Sequence, residues 1–163
     1  GELAADAELS WDEADQVPHM PVTGRVASRR MRVIELAEAA QTTSDNLAAN
    51  LLLRELGGPM GFTQRLRALG DAQTRLDRWE PAMNLVPPGE VRETTTPAAM
   101  ARLAARCFDG GSLDDADALM LRQWLVKTDT GRRRLRAGFP RAWVAGDKTG
   151  TALAEGMANK YND

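Results

Sequence analysis

The sequence is poor in the residues that build covalent or metal frameworks. A single cysteine, Cys107, stands among 163 residues, so an internal disulfide is excluded. A single histidine, His19, joins it. Together they fall short of the roughly three or four such ligands that a zinc site takes, and no cofactor is expected. No apolar run approaches the roughly 18 residues needed to span a bilayer. The net charge of −2 supplies no basic surplus for nucleic acid or an anionic membrane. Repeats, low-complexity tracts and dividing linkers are absent. No signal peptide is visible, an observation without weight if the chain begins inside a longer one. What remains is an ordinary globular composition, 43% apolar and 27% charged, long enough for one domain with a real core.

One stretch organises the rest: Thr43-Ser44-Asp45-Asn46-Leu47-Ala48-Ala49-Asn50-Leu51-Leu52-Leu53. Between Leu47 and Leu56 most positions are apolar. The polar exceptions Asn46, Asn50 and Arg54 recur every fourth residue and so share one stripe. A helix apolar on its other sides belongs inside a domain. Ser44 stands at the expected N-cap. From this stretch alone, a capped core helix with an internally hydrogen-bonded Asn is the simplest account.

The rest of the chain reads as helices separated by breakers. Arg30 to Thr42 is expected to be helical, with Val33, Ile34, Ala37 and Ala40 on one face. The central helix should end at Gly57-Gly58-Pro59, before a short helix carrying Phe62, Leu66 and Leu69. Asp71 to Glu93 holds four prolines or glycines after its start and no sustained period; such a long irregular run in a compact domain is usually functional. Thr96-Pro97 opens a helix with a stripe of Met100, Leu103, Ala104 and Cys107. Ser112 to Asp115 opens another, with Ala116, Met120 and Trp124 inward. Ala142 to Lys148 reads as a strand. Residues 1 to 29 read as loop with short strands.

Three motifs stand in order along this frame: Ser44-Asp45-Asn46, Glu80-Pro81-Ala82-Met83-Asn84 and Lys148-Thr149-Gly150. Each alone is weak. The first and third are paired marks of class A β-lactamases and penicillin-binding proteins. With Gly57-Gly58-Pro59, Gly70-Asp71, Thr74-Arg75-Leu76-Asp77-Arg78-Trp79-Glu80-Pro81 and Thr94-Thr95-Thr96-Pro97, the chain resembles class A β-lactamases over nearly its whole length.

The resemblance implies an α+β fold: a mostly helical domain of the serine β-lactamase and penicillin-binding-protein type, plus the start of its antiparallel sheet. It implies one domain over residues 1–163, helical over 28–140 with an Ω-loop at about 75–93, and sheet over 141–163. It implies hydrolysis of a β-lactam amide through a serine acyl-enzyme. Glu80 and Asn84 would hold and activate the deacylating water, across a cis Glu80-Pro81 bond. Ser44 would pass a proton to the departing nitrogen, tuned by Lys148. Asn46 would bind the acylamino side chain. Thr149, Gly150 and Thr151 would line the carboxylate and oxyanion end, with Arg134 supplying a guanidinium. His19, a surface histidine on the sequence alone, would flank the cleft mouth. An Arg78–Glu93 clasp would close the loop, with Glu where the family has Asp. The family context is a periplasmic or secreted monomer whose partner is the small-molecule antibiotic, without nucleic acid or membrane.

The sequence departs from the family at two places. No serine is followed three residues on by lysine, so the Ser-x-x-Lys nucleophile is expected on a flanking segment, with the chain an internal piece. After Thr151 the run to Asn162-Asp163 is longer than usual, and Tyr161 stands where a carboxylate-binding Arg often lies. Two alternatives follow: a penicillin-binding peptidase, which would lack the Glu80/Asn84 pair, and a catalytically dead remnant.

Overall fold

The computed structural model describes residues 3–150. The central helix, α2 (Asn46–Glu55), buries Leu47, Ala48, Leu51 and Leu53. Helix α1 (Val33–Thr43) lies against it and contributes Leu36 and Ala39; Trp11 closes the same cluster. Truncating a leucine in such a site typically costs about 2–5 kcal/mol. Only Ser44 and Asp45 separate α1 from α2, so the chain reverses in a tight corner. Helix α3 (Gly58–Ala68) packs on α2, and α5 (Asp115–Lys127) packs on α1. Helix α4 (Pro97–Arg106) follows the long irregular segment. Two short antiparallel strands, β1 (Glu8–Ser10) and β2 (Arg30–Arg32), pair Glu8 with Arg32, Leu9 with Met31 and Ser10 with Arg30. The mostly helical architecture with a small antiparallel sheet is that of the expected fold class.

Several local expectations are corrected. Asp45, not Ser44, is the N-cap of α2, its carboxylate accepting from Ala48 N. Ser44 instead ends α1 in the left-handed region, at φ 58°. A carboxylate fills the cap, which leaves the serine hydroxyl for other use. Arg30 to Arg32 are strand rather than helix, because β1 supplies a partner that helical periodicity does not reveal. The buried stripe of α1 is Val33, Leu36 and Ala39, with Ile34, Ala37 and Ala40 only partly covered. On α4 the buried residue is Ala99; Leu103 and Cys107 are half-buried and Met100 is exposed. On α5 Ala116 is exposed, while Met120 and Trp124 are half-buried. Ala142 to Lys148 has no strand partner among the described residues. Gly57-Gly58-Pro59 both stops α2 and starts α3: Gly57 takes φ 89° and Pro59 occupies the first turn.

Asp45 is the joint of this region. Its carboxylate is fully buried and accepts Val22 N (3.0 Å), Thr23 N (2.9 Å), Thr23 Oγ1 (2.7 Å) and Ala48 N (3.0 Å). Four donors offset the desolvation of a carboxylate that has no ion-pair partner among the described residues. The residue thereby ties the 18–23 strap to the start of α2.

Candidate active site

Each part of the site is held by a different element. His19 sits on the strap at φ 64°, its Nε2 3.1 Å from Thr43 O. Asn46 fixes the same strap, donating from Nδ2 to Pro18 O (2.9 Å) and from its backbone to His19 O (3.1 Å). The corner between α1 and α2 presents Ser44.

Residues 71–96 carry Glu80. Asn50, on the polar stripe of α2, holds the Glu80 backbone from both sides: Glu80 N donates to Asn50 Oδ1 (2.9 Å) and Asn50 Nδ2 donates to Glu80 O (3.0 Å). The Glu80–Pro81 bond is cis. A 3-10 turn, Ala82–Asn84, brings the Asn84 amide back onto the Glu80 carboxylate, to which it donates. The Arg78–Glu93 clasp forms: Arg78 Nε donates to Glu93 Oε2 (2.9 Å), and Glu93 Oε1 accepts from Asp77 N (3.1 Å). Glu93 reaches this geometry at φ 53°. Gly58 leaves room for Trp79, since a Cβ there would meet the indole at 3.1 Å.

The third wall follows α5. Arg136 Nε lies 2.6 Å from Asp147 Oδ2, and its other nitrogens donate to Val126 O (2.8 Å) and Thr128 O. A guanidinium at a helix C-terminus meets carbonyls whose dipoles favour it. This knot fastens residues 145–147 to the end of α5. A Cβ at Gly131 would overlap the Asp147 carboxylate. Lys148 follows directly, with Nζ 2.6 Å from Ser44 Oγ and 2.9 Å from Thr149 O.

These walls enclose a cleft of about 450 Å³. His19, Ser44, Asn46, Glu80, Asn84, Arg134, Lys148, Thr149 and Gly150 all line it, together with Thr130. Thr151 lies outside the described residues. Burial pushes the Glu80 carboxyl above its ordinary range, opposed by the Asn84 hydrogen bond and by Lys148 and His19. Burial likewise lowers Lys148, opposed by Glu80 and Asp147. A base raised and an ammonium lowered toward neutrality suit proton transfer. Among the described residues no His, Cys, Asp and Glu cluster could hold a metal ion.

Three contributors were not assigned from the sequence. Asn50 stands out only as one polar residue on an apolar helix. Asp45 is masked by Ser44, an equally good cap on sequence. Thr130 belongs to no motif.

The profile of the β-lactamase enzyme family matches residues 1–159. β-Lactamase FAR-1 of Nocardia farcinica is 48% identical over 89% of this chain and 46% of its own length. The carbapenem-hydrolyzing β-lactamase KPC of Klebsiella oxytoca is 40% identical over 96% of this chain and 53% of its own. The chain thus spans about half the length of these curated relatives. Among solved structures, an ancestral class A β-lactamase superposes with a TM-score of 0.88 at 50% identity, covering 91% of this chain and 57% of that one. The β-lactamase of Streptosporangium roseum gives 0.87 at 45% identity, covering 91% and 55%. Motif order, fold and these likenesses agree, and the chain belongs to the class A β-lactamase family.

Proposed function

We propose that this chain supplies the deacylation and substrate-binding half of a serine β-lactamase, acting within a polypeptide that also carries the Ser-x-x-Lys nucleophile. Glu80 takes a proton from the water that attacks the acyl-enzyme, and Asn84 orients that water. Ser44 delivers a proton to the departing lactam nitrogen and is recharged from the Lys148 ammonium. Asn46 holds the acylamino side chain. Lys148, Thr149 and Arg134 meet the substrate carboxylate, with Gly150 and Thr151 at the oxyanion end and His19 at the mouth. The complete protein acts as a monomer outside the cytoplasm.

One observation carries this reading: Glu80 with its Asn84 partner shares a cleft with the Ser44–Lys148 pair, although the chain separates them widely. That pairing also favours hydrolysis over the penicillin-binding peptidase alternative, which stays acylated for want of a water-activating carboxylate. The test is Ser44→Ala in the full-length protein, assayed with a chromogenic cephalosporin. Loss of a positioned proton donor lowers kcat/KM by about 100-fold or more. A loss below about threefold contradicts the relay.

A further inference from the structure

Thr130 lies just past the end of α5, outside every motif. Its position is fixed from two sides. Thr128 is fully buried and bonds back to Trp124 O through Oγ1 (3.0 Å) and its backbone N (2.9 Å). Asp129 N donates to Thr42 O at the end of α1 (3.3 Å). The next residue, Thr130, therefore enters the cleft from a pinned backbone.

There Thr149 Oγ1 donates to Thr130 Oγ1 at 2.6 Å. Two hydroxyls joined by one hydrogen bond use one of their two protons in the link. The second belongs to Thr130 and has no acceptor among the described residues. The lining of the cleft holds two cationic side chains, Lys148 and Arg134, against one acid, Glu80. Asp129, the acid nearest to Thr130 in sequence, pairs with Arg132 instead (2.6 Å). A hydroxyl proton in a cleft lined by two cations and one acid is a donor for a single negative charge.

We propose that Thr130 is a specificity-determining residue whose hydroxyl donates directly to the carboxylate of the bound β-lactam, alongside Thr149. This rests on the β-lactamase reading above and extends its carboxylate end by a residue. The hydroxyl pair opens when the carboxylate arrives: Thr149 turns its one proton from Thr130 to one carboxylate oxygen, and Thr130 donates to the other. Because a hydrogen bond to a charged acceptor is at stake, its loss is worth about tenfold or more in affinity for the anion.

The experiment compares a penicillin with its neutral methyl ester in the full-length protein. Thr130→Val lowers the acid-to-ester ratio of kcat/KM about tenfold, carried mainly by KM, and Thr130→Ser restores it. Placing Thr130→Val in a Thr149→Val background separates direct contact from buttressing: direct donation lowers the ratio again. If the ratio is the same in Thr130→Val and wild type, or the double variant equals Thr149→Val alone, the assignment is wrong. If the wild-type protein turns over neither compound, the β-lactamase reading fails, and this inference with it.

Discussion

At the scale of the residue, Glu80 and Lys148 form an opposed pair. Burial raises the first and lowers the second, and each partly restrains the other. Glu80 must be ionised to act as a base, so activity falls as pH drops through its raised pKa. The acid limb of kcat, the parameter that contains deacylation, therefore lies above the ordinary glutamate value of 4.5 in the full-length protein. Asn84→Leu removes the hydrogen bond that favours the charged form, and the acid limb then moves further up. An unmoved limb would remove Asn84 from the account. Stability has the opposite sign. A carboxyl whose folded pKa is raised stabilises the fold below its unfolded pKa, and that contribution is lost as pH rises through the folded value. Glu80→Gln therefore raises Tm at pH 7 and does so less at pH 4, as thermal melts would record.

The same scale shows what a sequence can and cannot reveal. Glu80, Asn84, Ser44 and Lys148 are legible because each lies in a motif of fixed spacing. Asn50 grips Glu80 across the fold, and no local pattern announces a bond between residues so far apart in the chain. Thr130 is placed by the end of one helix and the neighbouring end of another, so its position is purely tertiary. Ser44 and Asp45 compete for one cap; a buried carboxylate with four donors outranks a hydroxyl, which only the packed strap reveals.

At the scale of the element, the strap and the irregular segment that carries Glu80 are held by few but well-satisfied groups. Asp45→Ala strands four donors inside the protein at once. With about 1–3 kcal/mol for each unsatisfied group and some relief from relaxation, the net loss is about 3–5 kcal/mol in urea unfolding. Asp45→Asn keeps one acceptor oxygen and loses less. A loss under about 1 kcal/mol for the alanine variant would show that the strap is anchored elsewhere. The Arg78–Glu93 clasp makes a separate forecast. Arg78→Ala frees both ends of the loop, so amide exchange accelerates across residues 75–93 while α2 keeps its protection. Helices around Leu47 and Leu51 were legible from periodicity, since the apolar stripe decides their burial. Strand pairing was not: Arg30 to Arg32 alternate as a strand only once Glu8 to Ser10 are beside them. The run from Ala142 to Lys148 has strand-like residues but no strand partner among the described residues.

At the scale of the whole molecule, several apolar side chains of α5 and of the segment after it are exposed. Leu119, Leu135, Trp143 and Val144 are 56%, 79%, 65% and 87% exposed. Exposed apolar side chains of this size favour association where they cluster. The 163-residue chain by itself therefore self-associates, visible as a concentration-dependent shift in size-exclusion chromatography. A strictly monomeric profile up to high concentration would contradict this. We predict that by itself it also shows no turnover of a chromogenic cephalosporin, since the proposed mechanism needs a Ser-x-x-Lys nucleophile and none of its own serines stands in that pattern.

The central claim is that Glu80 drives deacylation, and Glu80→Gln in the full-length protein tests it most directly. Mixed with a penicillin and followed by mass spectrometry, the variant should accumulate a stoichiometric acyl-enzyme while steady-state turnover falls by roughly a hundredfold or more. Unchanged turnover, with no acyl adduct detected, would contradict the account.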